Sequence, residues 1–250
     1  MKKFYDENGY IIIPKLLSDK EINSIKKTLV THTNKDYNNI LNPDRYEFLI
    51  AQSHNKFLKM KSMREKVNYI NLCKETSTKI RLLLKDRRIV DVLENLYEKK
   101  FVGLSTHMIW KKPNTPFSKQ AWLPHQDNSY AKNKNNLLVT INLFLDDVSV
   151  ENGCIYNYPK SHKQGLLPYA DNISWGNDKN PGNEVKILDK YKKNNVTGKL
   201  GDVYIQHGNL IHGSYANNSN NMRAMYSATY IVEGEDFQSG YNAMRKVIKL

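Results

Sequence analysis

From Phe101 onward the chain is built of short runs rich in β-branched and aromatic residues, separated by clusters of Gly, Pro and Asn. The runs are "VGLSTHMIWKKP", "NLLVTINLFLDDV", "GCIYNYP", "EVKILD", "GDVYIQHGNLIHGSY" and "RAMYSATYIVE". Such runs predict strands joined by turns, in a sandwich or barrel. Before Phe101 the texture differs. "GYIIIPKLL" predicts a short strand ending in a turn. "SDKEINSIKKTL" opens with Ser18 and has Glu21 three residues later, the pattern of a capping box, and Ile22, Ile25 and Leu29 follow at helical spacing. A second helical region is expected from about Lys56 to Lys85, and a third over "RRIVDVLENLYEKK". The expectation is one α+β domain spanning residues 1–250: a mainly helical flank over 1–100 and a β core over 101–235. Residues Gly165 to Lys199 form a polar, turn-rich excursion, long enough to read as a functional loop.

Composition changes this picture little. At 250 residues the chain can bury a substantial core, and 40% hydrophobic with 25% charged residues is ordinary for a globular protein. No apolar run approaches the ~20 residues that cross a bilayer, and the charged N-terminus does not read as a signal peptide. Cys73 and Cys154 are the two cysteines, which excludes a disulfide scaffold or a cysteine-rich zinc site. A cytoplasmic protein with unpaired thiols is expected. The net charge of +13 favours anionic partners. That charge is carried mostly by lysine spread over the chain, without the clustered arginine and interleaved aromatics of a nucleic-acid reader.

Candidate chemistry begins in "LPHQDNSY". On an extended chain His125 and Asp127, two positions apart, point to the same side, with Gln126 turned away. An imidazole and a carboxylate suit a divalent transition metal that keeps coordination positions open. A further histidine is needed, and His207 and His212 are the candidates. After His212 come Ser214, the turn-rich "ANNSNN" and Arg223; a hairpin there would return Arg223 beside His212 and Ser214. A guanidinium and a hydroxyl beside a histidine make a receptor for a carboxylate. His207 lacks that arrangement and reads as a packed or supporting residue.

"HQD" (His125 to Asp127), "ENGCIYNYPKSHKQG", "GDVYIQHGNLIHGSYANNSNNMR" and the N-terminal "YDENGYIIIPKLLSDKEI" together resemble the phytanoyl-CoA dioxygenase family over nearly the whole chain. The resemblance implies a double-stranded β-helix, a cupin-like jelly roll, with flanking N-terminal helices. It implies a non-haem oxygenase that uses Fe(II), 2-oxoglutarate and O2, releases succinate and CO2, and hydroxylates an unactivated C–H bond. By the same resemblance His125, Asp127 and His212 are the metal ligands, Arg223 pairs with the distal carboxylate of 2-oxoglutarate, and Ser214 assists it. Thr140 and Asn142 of "VTINLF" would point into the barrel, Asn142 near the cosubstrate. Related halogenases carry a small residue where Asp127 stands, so halogenation is disfavoured; desaturation, epimerisation and ring closure share the early steps and stay open. Where the family often has glycine, this chain has Lys160.

The substrate expected is a small, polar, anionic or zwitterionic metabolite, set by the loops over the barrel mouth. The rival readings are a nucleic-acid-binding protein or an oxygenase of modified bases, a family member without activity, and a zinc hydrolase that would leave Arg223 and Ser214 without a role. No feature of the sequence reads out the oligomeric state.

Overall fold

The computed structural model describes residues 1–26, 82–111, 113, 121–172, 182–239 and 245–250. Most of the helix expected between Lys56 and Lys85, together with Cys73, lies outside the described residues. Helix α1 (Lys2–Asn8) leads into β1 (Tyr10–Ile13). Helix α2 (Arg87–Tyr97) then precedes β2 (Phe101–Lys111), β3 (Trp122–His125), the short α3 (Asn128–Ala131) and β4 (Leu138–Phe144). The remaining strands are β5 (Ile155–Asn157), β6 (Ala170–Asn172), β7 (Gly182–Glu184), β8 (Asn194–Val196), β9 (Val203–His207), β10 (His212–Ser214) and β11 (Arg223–Val232).

The strands form two antiparallel sheets, one in the order β1-β9-β4-β11-β2 and one in the order β6-β7-β3-β10-β5-β8. Bonds between the sheets show that they face each other: Asn157 donates to the Tyr204 hydroxyl at 2.8 Å, and Lys111 to the Ser214 hydroxyl at 2.8 Å. The architecture is the jelly roll with flanking helices.

β4 shows how one strand serves both faces. Every residue of "LVTINLF" is buried, so burial itself does not alternate, but the chemistry does. Val139, Ile141 and Leu143 pack outward into a cluster with Tyr5 of α1 and Ile89, Leu93 and Leu96 of α2. Thr140 and Asn142 point the other way, toward the second sheet. The neighbouring β9 repeats the pattern, with Val203 and Ile205 outward and Tyr204 and Gln206 directly opposite Asn142 and Thr140. One face of this five-stranded sheet is thus apolar and covered by helices, while its other face turns Thr140, Asn142 and Gln206, flanked by Leu138 and Phe144, toward the interior of the roll.

α2 forms because Ile89, Leu93 and Leu96 recur on one face, each worth roughly 1.5–3 kcal/mol when buried. Asp86 starts it by accepting from the Arg88 backbone N–H. The capping box is formed as expected: Glu21 accepts from the Ser18 backbone N–H at 2.8 Å, and Ser18 Oγ accepts from the Glu21 N–H at 3.3 Å. Residues 19–26 are helical; Leu29 lies outside the described residues.

Two local expectations are corrected. "EVKILD" is not a strand: β7 ends at Glu184, and the following residues continue without a ladder. Val185 and Ile187 alternate because both pack into a cluster with Tyr156, Tyr158 and Ile211. Conversely, β8 arises from the polar "NNV", which carries no strand signal of its own and is held by its pairing with β5.

Candidate active site

His125 ends β3 and His212 opens β10; the two are register partners in the second sheet, with ring centroids 4.3 Å apart. Asp127 does not reach them along an extended chain, as the sequence suggested. It sits in a turn (φ −61°, ψ −33°) at the start of α3, and this turn swings its carboxylate back toward His125. Asp127 Oδ1 lies 3.7 Å from His125 Nε2 and 3.6 Å from His212 Nε2. One ligand atom from each of the three residues falls within 4.8 Å of the others. Gln126 is turned away, as expected: its amide nitrogen donates to the Gly165 and Asn209 carbonyls, and its oxygen accepts from the Leu167 N–H.

The hydrogen bonds fix which histidine nitrogens are available. His125 Nδ1 lies 2.8 Å from the Leu123 carbonyl and His212 Nδ1 lies 3.0 Å from the Leu210 carbonyl. A carbonyl only accepts, so each Nδ1 carries a proton, which leaves Nε2 as the nitrogen of each ring that could bind a metal. Burial, with His212 alongside, pushes His125 down to about 4, so it is neutral at neutral pH. Burial pushes Asp127 up, but His212, His125 and the Gln206 hydrogen bond outweigh it and hold the carboxyl below its ordinary value. Two imidazoles and a carboxylate are the donor set of an iron site with open positions. These residues could hold a metal.

Gln206, which the sequence reading passed over, donates from Nε2 to Asp127 Oδ2 at 2.8 Å and lies 3.0 Å from His212 Nε2. Its signal was present in the alternation of "VYIQ", which puts Gln206 on the same side as Tyr204. Gly213, the middle residue of β10, leaves room for Trp122 of β3 and Tyr156 of β5, the strands on either side. A Cβ at that position would clash with both the Trp122 carbonyl and the Tyr156 hydroxyl.

Arg223 and Ser214 are near one another, but not through a hairpin. β10 lies in one sheet and β11 in the other, because Asn217 ties the connection down by donating to the Lys111 and Asn221 carbonyls. Arg223 is therefore presented from the other sheet, beside its register partner Lys111 of β2. It is 1% exposed, and its Nε has no hydrogen-bond partner.

The fold and this donor set can be set against known proteins. A profile of the phytanoyl-CoA dioxygenase (PhyH) family matches residues 5–225. The chain belongs to that family. Among its relatives, phytanoyl-CoA dioxygenase of Arabidopsis thaliana is 25% identical over 261 residues, covering 93% of this chain and 87% of that protein. A probable α-ketoglutarate-dependent hypophosphite dioxygenase of Stutzerimonas stutzeri is 29% identical over 140 residues, 55% of this chain and 47% of that protein. The same fold is seen in the epimerase SnoN, solved with Fe3+, α-ketoglutarate and nogalamycin RO: TM-score 0.64, 17% identity, covering 100% of this chain and 93% of that one. This PhyH-family chain is an iron- and 2-oxoglutarate-dependent oxygenase, and His125, Asp127 and His212 are its candidate metal ligands.

The other predicted positions of the PhyH chain fall as follows. The Thr140 hydroxyl lies beside the Asp127 carboxylate yet outside hydrogen-bonding geometry with any partner. Asn142 is buried two residues further along the same face, opposite Tyr204 and Ser227. His207 is not near the ligand set. Its Nδ1 accepts from the Asn209 N–H at 3.0 Å, and its ring stacks near His162 with centroids 5.1 Å apart. Cys154 is a buried free thiol, pushed up to about 11 by burial. Among the described residues no helix is long and apolar enough to cross a membrane.

Proposed function

We propose that this oxygenase hydroxylates an unactivated C–H bond of a small polar, anionic metabolite, with His125, Asp127 and His212 as its iron ligands. The observation that carries this reading is the convergence inside the roll of one carboxylate and two histidine Nε2 atoms, each ring with its Nδ1 tied to a backbone carbonyl. When bound, iron and 2-oxoglutarate supply the oxidising power from O2 that C–H attack requires.

The chain's own residues hold and orient. The Leu123 and Leu210 carbonyls fix the imidazole tautomers, and Gln206 holds the Asp127 carboxylate. Arg223 and Ser214 receive the distal carboxylate of 2-oxoglutarate, since a buried guanidinium with an unpartnered Nε calls for an anion. Thr140 and Asn142 line the same inner face, with the Thr140 hydroxyl beside the Asp127 carboxylate. Support for an anionic substrate is the net charge of +13, together with Arg245, a partly buried guanidinium in electrostatic reach of Asp127 and Tyr130.

The test pairs binding with turnover. Anaerobic wild type with Fe(II) and 2-oxoglutarate should develop the visible charge-transfer band of the chelate, and His212→Ala should lose it. A panel of small carboxylates, phosphonates and neutral analogues should then show succinate release stimulated by anions, with a product heavier by one oxygen. A preference for neutral compounds would remove the anionic assignment. A product of unchanged mass, or one lighter by two hydrogens, would replace hydroxylation by epimerisation or by desaturation and ring closure.

A further inference from the structure

Lys111, the last residue of β2, is fully buried. Its Nζ donates to Ser214 Oγ at 2.8 Å and to the Tyr215 carbonyl, and its register partner across β2 and β11 is Arg223. Two basic side chains thus share one buried pocket beside a hydroxyl. Burying a cation is costly unless an anion compensates it, and burying two together more so.

The groups around the pair do not supply that anion. Asp146 is the carboxylate in electrostatic reach of Arg223, but one of its oxygens pairs with Lys26 and the other accepts from the Ala224 N–H at 2.8 Å. Cys154, also within reach of both, is a protonated thiol. Among the described residues no carboxylate is in ion-pair contact with Lys111 or Arg223. Burial, and then Arg223, holds the Lys111 ammonium well below its ordinary range. Because Ser214 Oγ already accepts from Lys111, its own proton is free to be donated to a ligand.

We propose that Lys111 is a second basic residue of the 2-oxoglutarate pocket, binding the distal carboxylate together with Arg223 and aiming the Ser214 hydroxyl at it. This rests on the reading of Arg223 and Ser214 as the carboxylate site. It adds a residue from a different strand, which the sequence spacing around His212 does not reveal. Lys111 touches the cosubstrate end remote from the metal ligands, so its effect is on selecting a dicarboxylate.

The experiment is an anaerobic titration of the Fe(II)-loaded full chain with 2-oxoglutarate and with 2-oxopentanoate, which has the same carbon chain but no distal carboxylate. The charge-transfer band reads binding of each. Wild type should prefer 2-oxoglutarate strongly. Lys111→Met should narrow that preference by about tenfold or more, through weaker 2-oxoglutarate binding, with 2-oxopentanoate little changed. Lys111→Arg, which keeps the charge, should retain most of the preference. An unchanged preference in Lys111→Met, or an equal loss for both oxo acids, overturns the proposal. Should Lys111→Met fail to fold, Lys111→Gln, which keeps a donor and removes the charge, carries the same comparison. The underlying reading fails separately: wild type without any preference, or Arg223→Met with its preference intact, shows that the pocket is not the carboxylate site.

Discussion

A carboxylate that could bind a metal has to be ionised and also aimed, and for Asp127 the aiming falls to Gln206. Its amide nitrogen fixes Asp127 Oδ2, so that Oδ1 is the oxygen turned toward the two Nε2 atoms. Replacing such an outer partner commonly costs 10–100-fold in metal affinity. Gln206→Leu should therefore weaken Fe(II) or Mn(II) binding by about tenfold, measured by metal titration, while the urea midpoint of the metal-free protein changes little. Unaltered metal affinity would show that Asp127 is held by the α3 turn alone. His125 and Asp127 were legible as a pair because they are adjacent in sequence. Gln206 was not, because its contact to Asp127 spans 79 residues and depends on which face β9 turns inward.

At the scale of elements, the departure from the family pattern at Lys160 has a measurable consequence. Lys160 has φ 71°, the left-handed region, where it caps the 3-10 turn Ser161–Gln164. A non-glycine residue there costs about 1–2 kcal/mol, and glycine loses roughly 0.5–1 kcal/mol in chain entropy on folding. The solvent-exposed Lys160–Glu7 pair adds little against this. Lys160→Gly should thus be neutral to stabilising, by up to about 1 kcal/mol in urea unfolding. A clear destabilisation would mean that the lysine stem, or its contact with Glu7, holds α1 against the turn. Elements with a strong local period were legible, including α2, β2, β4, β9 and β11. The short polar β8 was not, because its pairing comes from β5, and "EVKILD" misled because packing imitated the alternation of a strand.

For the whole molecule, stability in mild acid depends on histidines kept neutral by the fold. Burial, with His162 alongside, pushes His207 down to about 3, and its Nδ1 accepts a backbone N–H that protonation would expel. In the unfolded chain histidine titrates near 6.5. Between about 3 and about 6.5 the unfolded state therefore binds the extra proton, so stability rises with pH and is lost as pH falls from about 6.5. From pH 6.5 to 5 this one residue should cost the metal-free protein about 1–2 kcal/mol. In His207→Asn, which keeps an acceptor for the Asn209 N–H, the loss between those pH values should shrink by about that amount in urea melts. An identical pH slope in the variant would place the acid sensitivity elsewhere.

What the sequence determined by itself was local: strand and helix periods, the capping box at Ser18, the adjacency of His125 and Asp127, and the eleven-residue interval from His212 to Arg223. These are set by backbone geometry over a few residues, and the local order of residues carries them. What only the tertiary structure decided was which side chains meet across the two sheets. Arg223 reaches the site from the opposite sheet, Lys111 meets Ser214 across 103 residues, and Gln206 rather than His207 bonds to the candidate metal ligands. Those meetings follow from strand register and sheet stacking, which are fixed by many weak contacts acting together and are written in no single segment of the chain.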